Sequence, residues 1–304
     1  MGWRTKADLA WLASLAGVEA DHPLARHTTF NIGGPAEHFV EARSAGVLVS
    51  LVAGAAERGI PYLLLGAGTN LLVADGGVEG LVIRAAARGH RVEGSTLWAE
   101  GGLKMMRLAR IAADAGLVGF EFAIGIPGTI GGAVYQDAGC WGREVRDVLV
   151  EAEGFVPGRG PVRWRLEDMG LGYRTSAFRD GNLEGALISA ATFRLEPGDG
   201  RASRRRMAEL IAERARSQPI ATRNCGSVFR NPPGDSAGRL VEAAGMKGAV
   251  EGAARVSEVH ANFIVNGGGA TAQDVARLIE RIQAEVGMRF EVELEPEVEM
   301  VGRW

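Results

Sequence analysis

The sequence predicts an α+β protein: a small αβ unit, an antiparallel sheet with helices, and a second, smaller αβ domain towards the C-terminus. Three observations carry that expectation. Strand-like and helix-like stretches alternate across residues 37–84. β-rich segments follow across 145–195 without a long helix between them. A strand, a helix and an alternating segment then occupy residues 259–300.

The 304 residues suffice for two or three domains, each burying a core. With 46% hydrophobic and 23% charged residues and a formal net charge of −3, nothing pushes the chain generally towards nucleic acid or an anionic membrane. The 44 glycines are assigned to turns and ligand loops, because apolar periodicity persists throughout. Cys140 and Cys225 are too few and too far apart for a zinc site or a disulfide scaffold, which fits a reduced cytosolic setting.

In chain order, Arg4 and Lys6 precede an apolar run over 9–18 that faintly imitates a signal peptide. Asp8 borders that run, and Trp11 and Ser14 make it amphipathic and short, so a surface helix is expected within an N-terminal segment 1–22, with a signal peptide the minor alternative. Strand 37–42, helix 44–59 ending at glycine, strand 61–65, a loop and strand 80–84 come next. Residues 92–100 alternate as a strand, and 103–115 read as a helix stopped by Gly116. Strands are expected at 145–155, 161–166 and 185–195. Pro197-Gly198-Asp199-Gly200 is the best linker, dividing domains at 23–198 (subdomains about 23–84 and 85–198) and 201–304. Helix 201–217 carries six arginines, but Glu209 and Glu213 interleave without an aromatic, which describes a solvated face rather than a nucleic-acid surface. Strand 259–266 precedes a glycine turn. A helix starts at the capping-box-like Thr271-Ala272-Gln273-Asp274 and runs to about 286, and 290–300 form a closing strand.

Two glycine-dense loops stand out. Residues 119–142 read GFEFAIGIPGTIGGAVYQDAGCWG, and 62–73 read YLLLGAGTNLLV. Glycine at that density bares backbone N–H groups to a ligand, and Pro127 stiffens the longer loop. A dinucleotide fingerprint needs a third glycine at 71, where Leu71 stands, and no GxxxxGK[ST] occurs. Two phosphate-cradling candidates of neither common type point to a dinucleotide held in a less common way.

Together with HTTFNIGG at 27–34, these loops resemble the UDP-N-acetylenolpyruvoylglucosamine reductases (MurB), over about residues 23–302. The resemblance implies a two-part FAD-binding domain followed by a substrate-binding domain. It implies non-covalent FAD, held by Tyr62, Gly66, Ala67, Gly68, Thr69, Asn70 and Leu71, by Gly125, Ile126, Pro127, Gly128, Gly131, Gly132 and Ala133, and by Ile188. Substrate contacts would come from Tyr135, Arg174, Arg230, Asn231 and His260.

Read alone, Arg174 in YRTSAF is an ordinary loop arginine, although a guanidinium suits bidentate grip of a carboxylate. Ser227 in NCGSVFRNP is by default a turn residue, with no GxSxG elbow, and Cys225 is a small buried neighbour. His260 and Asn262, two apart on a strand, face one way. In the closing strand Phe290, Val292, Leu294, Val298 and Met300 face one side and five glutamates the other, with Pro296 breaking the ladder beside Glu297. The resemblance makes Arg174, Ser227 and Glu297 catalytic: carboxylate anchor, proton donor and acid.

The reaction so implied is NADPH-dependent reduction of UDP-N-acetylglucosamine enolpyruvate to UDP-N-acetylmuramate, in the cytoplasm, by a monomer, without metal, nucleic acid or membrane insertion. Two alternatives stay open: another FAD-dependent oxidase or dehydrogenase on the same scaffold, or a non-redox sugar-nucleotide-binding protein. The chain also departs from the family pattern. The short span between Arg174 and Ser227 indicates a subtype lacking a tyrosine-bearing insertion, and Asp137, Cys140 and Trp141 replace an NAG-Ala-Tyr pattern.

Overall fold

The computed structural model describes residues 3–183 and 185–304. The chain divides into two compact units: Met1–Glu19, His38–Ala67 and Gly80–Glu213 form the first, and Ala20–Glu37, Gly68–Glu79 and Arg214–Trp304 the second. This division is interleaved, where the sequence reading is linear. Its last boundary falls inside helix Gly200–Ser217 rather than at the Pro197–Gly200 stretch.

In the first unit, helix Lys6–Ser14 starts with a reciprocal capping box between Thr5 and Asp8, with N–H···O distances of 3.0 and 3.2 Å. Helix Ala45–Glu57 is capped by Ser44 and buries Leu48, Leu51, Val52 and Ala55, the i, i+3, i+4, i+7 stripe of an amphipathic helix. It packs in one apolar cluster with Val40, Leu81 and Ile83. Strand Tyr62–Leu65 runs parallel to Val78–Ala85, in register from Tyr62 opposite Leu81 to Leu65 opposite Arg84. A five-stranded antiparallel sheet follows, in the order Gly160–Arg165, Leu149–Val156, Leu187–Arg194, Thr96–Glu100, His90–Glu93. Helix Met105–Asp114 buries Met105, Leu108, Ala109, Ala112 and Ala113 in a cluster shared with Phe120 and Phe193. The expected strand 92–100 is a hairpin, because Gly94 turns left-handed at φ +58. Residues 145–147 form a 3-10 turn before the strand begins.

In the second unit, strands Val250–Glu251, Ala254–Val256 and Ile264–Asn266 form an antiparallel sheet. Helices Ala237–Ala243 and Ala272–Phe290 share its core, with Leu240, Val241, Val275, Leu278, Ile279 and Ile282 buried. The long helix runs to Phe290, one turn past the expected end.

Two expectations are corrected here. Residues 259–263 are a turn: the Ser257 hydroxyl accepts the N–H groups of Val259 (3.1 Å) and His260 (3.4 Å), and pairing starts only at Ile264. His260 and Asn262 therefore do not share a strand face. The closing segment is regular only at Glu299–Val301, which pairs in parallel with Leu71–Val73. Leu294 and Val298 are buried as the alternation requires, but Met300 is exposed.

Helix Ala272–Phe290 is capped twice. Thr271 and Asp274 form a capping box, and the Asp75 carboxylate accepts from the N–H groups of Ala272 (2.9 Å) and Gln273 (3.1 Å). Asp75→Ala and Thr271→Ala should each lower stability by about 1 kcal/mol in denaturant unfolding. The double variant should lose less than the sum, because both substitutions act on the same helix end.

Candidate active site

The first unit holds a cleft of about 540 Å³ whose lining includes Gly66, Ala67, Gly102, Leu103 and Thr129. Its floor is bare backbone for steric reasons. A Cβ on Gly66 would meet Thr129 Oγ1 at 2.7 Å, and one on Gly102 would meet the Ala87 carbonyl oxygen at 2.5 Å. Arg84, Arg88, Lys104 and Arg107 also line it. Arg84 is paired with Glu41 at 2.6 Å, while Arg88, Lys104 and Arg107 make no ion pair among the described residues. Bare backbone ringed by three uncompensated cations suits an anionic diphosphate.

These cations escaped the sequence reading. They come from separate elements, and only the one-turn spacing of Lys104 and Arg107 hints that any two lie together.

Thr129 caps helix Ile130–Tyr135, and the loop before it is laid against 101–105. The amides of Ile130, Gly131 and Met105 donate to the carbonyls of Leu103 (2.8 Å), Gly101 (2.8 Å) and Gly128 (3.0 Å). Part of the N–H row expected to face a ligand is thus satisfied by protein. Tyr62 donates its hydroxyl to the Gly185 carbonyl at 2.9 Å, and Ile188 is buried with its own carbonyl 3.2 Å from where a Gly131 Cβ would lie.

The YRTSAF motif is a tight turn closed by Gly172 and Thr175, with Arg174 left-handed at φ +57. Arg174 donates from Nη1 to the Asp137 carbonyl (3.5 Å) and from Nη2 to the Gly139 carbonyl (3.2 Å). Ser176 donates its hydroxyl to the Tyr135 carbonyl. The turn is thereby fixed to the end of the longer glycine stretch.

In the second unit, the 224–232 loop is held from both sides. Val228 donates to the Asn262 carbonyl (2.9 Å), Phe229 donates to Asn262 Oδ1 (2.9 Å), and Asn262 Nδ2 returns a bond to the Phe229 carbonyl (2.8 Å). On its other edge, Arg230 N–H donates to the Glu295 carbonyl (2.9 Å), and Glu297 N–H to the Val228 carbonyl (2.7 Å). Ser227 and Glu297 are therefore neighbours along one ladder. Asn70 fixes the far side of Glu297, donating Nδ2 to its carbonyl (3.0 Å), while Gly68 accepts from Thr29 N–H (3.0 Å) and Leu71 lies opposite Glu299. The Ser227 hydroxyl has no hydrogen-bond partner among the described residues, and the buried Arg230 Nε likewise lacks one.

Asn231 accepts from Ala237 N–H (3.0 Å) at the start of the next helix, a local structural task. Cys225 is buried, and burial pushes its thiol well above the ordinary range, leaving it an inert thiol. His260 Nδ1 accepts from Asn262 N–H (3.2 Å), which places its proton on Nε2. Burial, reinforced by Lys247, lowers the imidazole's proton affinity, so it is neutral at pH 7.

Among the described residues no cluster of three metal-ligating side chains occurs, and no helix is long and apolar enough to cross a membrane. The family model of an FAD binding domain matches residues 36–163. That of the UDP-N-acetylenolpyruvoylglucosamine reductase C-terminal domain matches 218–301. A UDP-N-acetylenolpyruvoylglucosamine reductase of Rubrobacter xylanophilus is 47% identical over 284 residues, covering 93% of this chain and 94% of its own. One from Alkalilimnicola ehrlichii is 45% identical over 287 residues, covering 92% and 93%. The crystal structure of the Thermus caldophilus UDP-N-acetylenolpyruvylglucosamine reductase matches with a TM-score of 0.80 at 37% identity, covering 93% of this chain and 98% of that one.

Asp137, one of the departures, is fully buried and bonded to Arg146 through the backbone amide (2.9 Å) and Nη1 (2.9 Å). Burial pushes its carboxyl up from 3.8 to about 6, against the lowering pull of Arg146. An acid whose proton affinity rises on folding stabilises the fold below its unfolded value, and that contribution is lost as pH rises through about 6. Asp137→Asn should therefore match wild-type stability near pH 4. By pH 8 it should exceed it by at most about 3 kcal/mol, read from denaturation midpoints across that range.

Proposed function

The chain belongs to the family of UDP-N-acetylenolpyruvoylglucosamine reductases, and from that premise we infer how its own residues perform the family's reaction. The enzyme uses NADPH and FAD to reduce the enolpyruvyl double bond of UDP-N-acetylglucosamine enolpyruvate, giving UDP-N-acetylmuramate for peptidoglycan. The observation that carries this is near-full-length identity of 47% to a reductase of that name, together with an intact GSVFRNP loop.

The cleft fits FAD: bare backbone at Gly66 and Gly102 admits close approach, and Arg88, Lys104 and Arg107 balance a diphosphate. The remaining residues of the two glycine loops, with Tyr62 and Ile188, would hold the rest. FAD, when bound, supplies the hydride carrier between NADPH and the terminal alkene carbon.

As the double bond is reduced, negative charge collects on the adjacent carbon and on the substrate carboxylate. Arg174 opposes that charge with a permanently ionised, planar donor pair. Glu297, as its protonated acid, donates to the developing aci-carboxylate. The Ser227 hydroxyl then delivers the proton to the adjacent carbon. Support for Ser227 comes from a loop immobilised by Asn262 and a hydroxyl with no partner among the described residues. Arg230 offers its unsatisfied Nε–H to the sugar nucleotide, with Tyr135 and the Nε2–H of His260 as further contacts. We place the enzyme in the cytoplasm, where its nucleotide substrates are, as a monomer, which a sedimentation mass of one chain would check.

Two measurements test this. Acid denaturation of the yellow protein should release all of its flavin into solution, and colour left on the precipitated chain would contradict non-covalent binding. Ser227→Ala should bleach with NADPH at near the wild-type rate, since that half-reaction needs no proton at the substrate carbon. Its reoxidation by the enolpyruvyl substrate should slow by about 10²–10⁴-fold. Undiminished reoxidation would remove Ser227 from the mechanism, and equal slowing of both halves would indicate a displaced cofactor.

A further inference from the structure

Arg174 donates to the backbone of residues 137 and 139, just past the longer glycine loop. Asp137 is 0% exposed, and both carboxylate oxygens are used, one by the Arg146 amide and one by its guanidinium. Between these residues the chain makes a small hairpin, with Cys140 opposite Arg143 and Gly139 opposite Glu144. Its tip is left-handed at Trp141 (φ +53) and Gly142 (φ +72), and its entry is left-handed at Asp137 (φ +45). The Asp137 side chain thus ties the residue that enters the hairpin to Arg146, just past its exit. The carbonyls at this same entry, of Asp137 and Gly139, receive the Arg174 guanidinium.

We infer that Asp137, clamped by Arg146, is a positioning residue for Arg174: it fixes the two backbone carbonyls that set the guanidinium's plane. The inference rests on Arg174 as the anchor of the substrate carboxylate. A bidentate grip tolerates little angular error, so the frame holding the guanidinium matters as much as its charge. The frame is also held against resistance. Asp137 and Arg174 both sit in the left-handed region that non-glycine residues avoid.

The charged groups facing Asp137 make the frame titratable. Arg146 is its direct partner, Glu144 pairs with Arg146, and Asp147 is engaged by Arg143 (3.0 Å). Arg174 approaches from the 172–175 turn, and helix Ile130–Tyr135 adds only Tyr135. With a carboxyl that ionises at about 6, the Asp137–Arg146 ion pair exists above that pH and is lost below it. The grip on the substrate should weaken accordingly.

The test uses FAD-loaded enzyme and separates the half-reactions. Asp137→Ala should raise the KM for the enolpyruvyl substrate in reoxidation by about 10-fold or more, and weaken the Kd for UDP-N-acetylmuramate similarly. Reduction by NADPH should stay within about twofold of wild type, as expected when only positioning for the substrate is lost. Asp137→Asn keeps an acceptor for the Arg146 amide but not the ion pair, so at pH 8 it should already show the weakened binding that wild type shows only below about pH 6. It should also lack the fall in reoxidation that wild type shows as pH drops through about 6. A wild-type KM in Asp137→Ala, equal slowing of both half-reactions, or an acid limb that persists in Asp137→Asn would each overturn the inference. Arg174→Ala, run alongside, separates two kinds of failure. If it too leaves KM and Kd unchanged, the anchor role of Arg174 falls and this inference with it. If it is defective while Asp137→Ala is silent, only the positioning role falls.

Discussion

At Gly34, Gly68 and Gly77 one stretch of backbone lies directly on another, and the second unit depends on that contact. A Cβ at those positions would stand 2.2 Å from the Asp75 carbonyl oxygen, 2.0 Å from that of His27 and 2.0 Å from that of Pro35. No side chain fits. These contacts lock Ala20–Glu37 against Gly68–Glu79, two pieces of chain too short to bury a core of their own. The joined pieces then receive the C-terminal segment: Asp75 caps the long helix, Leu71–Val73 pairs with Glu299–Val301, and Asn266 Nδ2 reaches the Phe30 carbonyl at 2.9 Å.

The same economy shapes the residues given chemical roles. Ser227 and Glu297 lie on irregular backbone, yet neither is loosely held. Asn262, nearly fully buried, spends its side chain on both polar groups of Phe229, so the serine's loop has backbone bonds on both edges. Asn70 does the corresponding work behind Glu297. Loops fastened by side-chain amides gain strand-like precision without a strand's periodicity, which suits the roles proposed for Ser227 and Glu297.

That explains what was legible in the sequence. Helices written in caps and apolar spacing were readable, as with Ser44 and the Leu48–Ala55 stripe, or Thr271 and its capping box. The strand at Tyr62–Leu65 and the antiparallel strands followed from their apolar runs, though not the parallel direction in which Tyr62–Leu65 pairs. Where long-range bonds override local pattern, reading failed. His260 and Asn262 look like strand residues, but the Ser257 hydroxyl bends 259–263 into a turn. Glu291 to Glu299 alternate as if in a ladder, yet Glu295, Glu297 and Val298 bond to the 228–230 loop and not to a sheet. The cations at 84, 88, 104 and 107 have no common local pattern, so only the fold gathers them. Motif resemblance singled out Arg174, but could not reveal that the carbonyls of Asp137 and Gly139 receive its guanidinium.

The interleaving of the second unit has a consequence for synthesis on the ribosome. Residues 20–37 emerge early, but the segment that completes their unit, Arg214–Trp304, is made last. At roughly 5–20 residues per second, ten seconds or more separate them. During that interval Phe30 and Leu72, both fully buried in the finished core, have none of their C-terminal neighbours. The nascent chain must carry this apolar surface without closing it, and closure then spans most of the chain's length. A ribosome that stalls after residue 213 leaves the first unit's sequence complete and the second with two short segments that cannot fold by themselves.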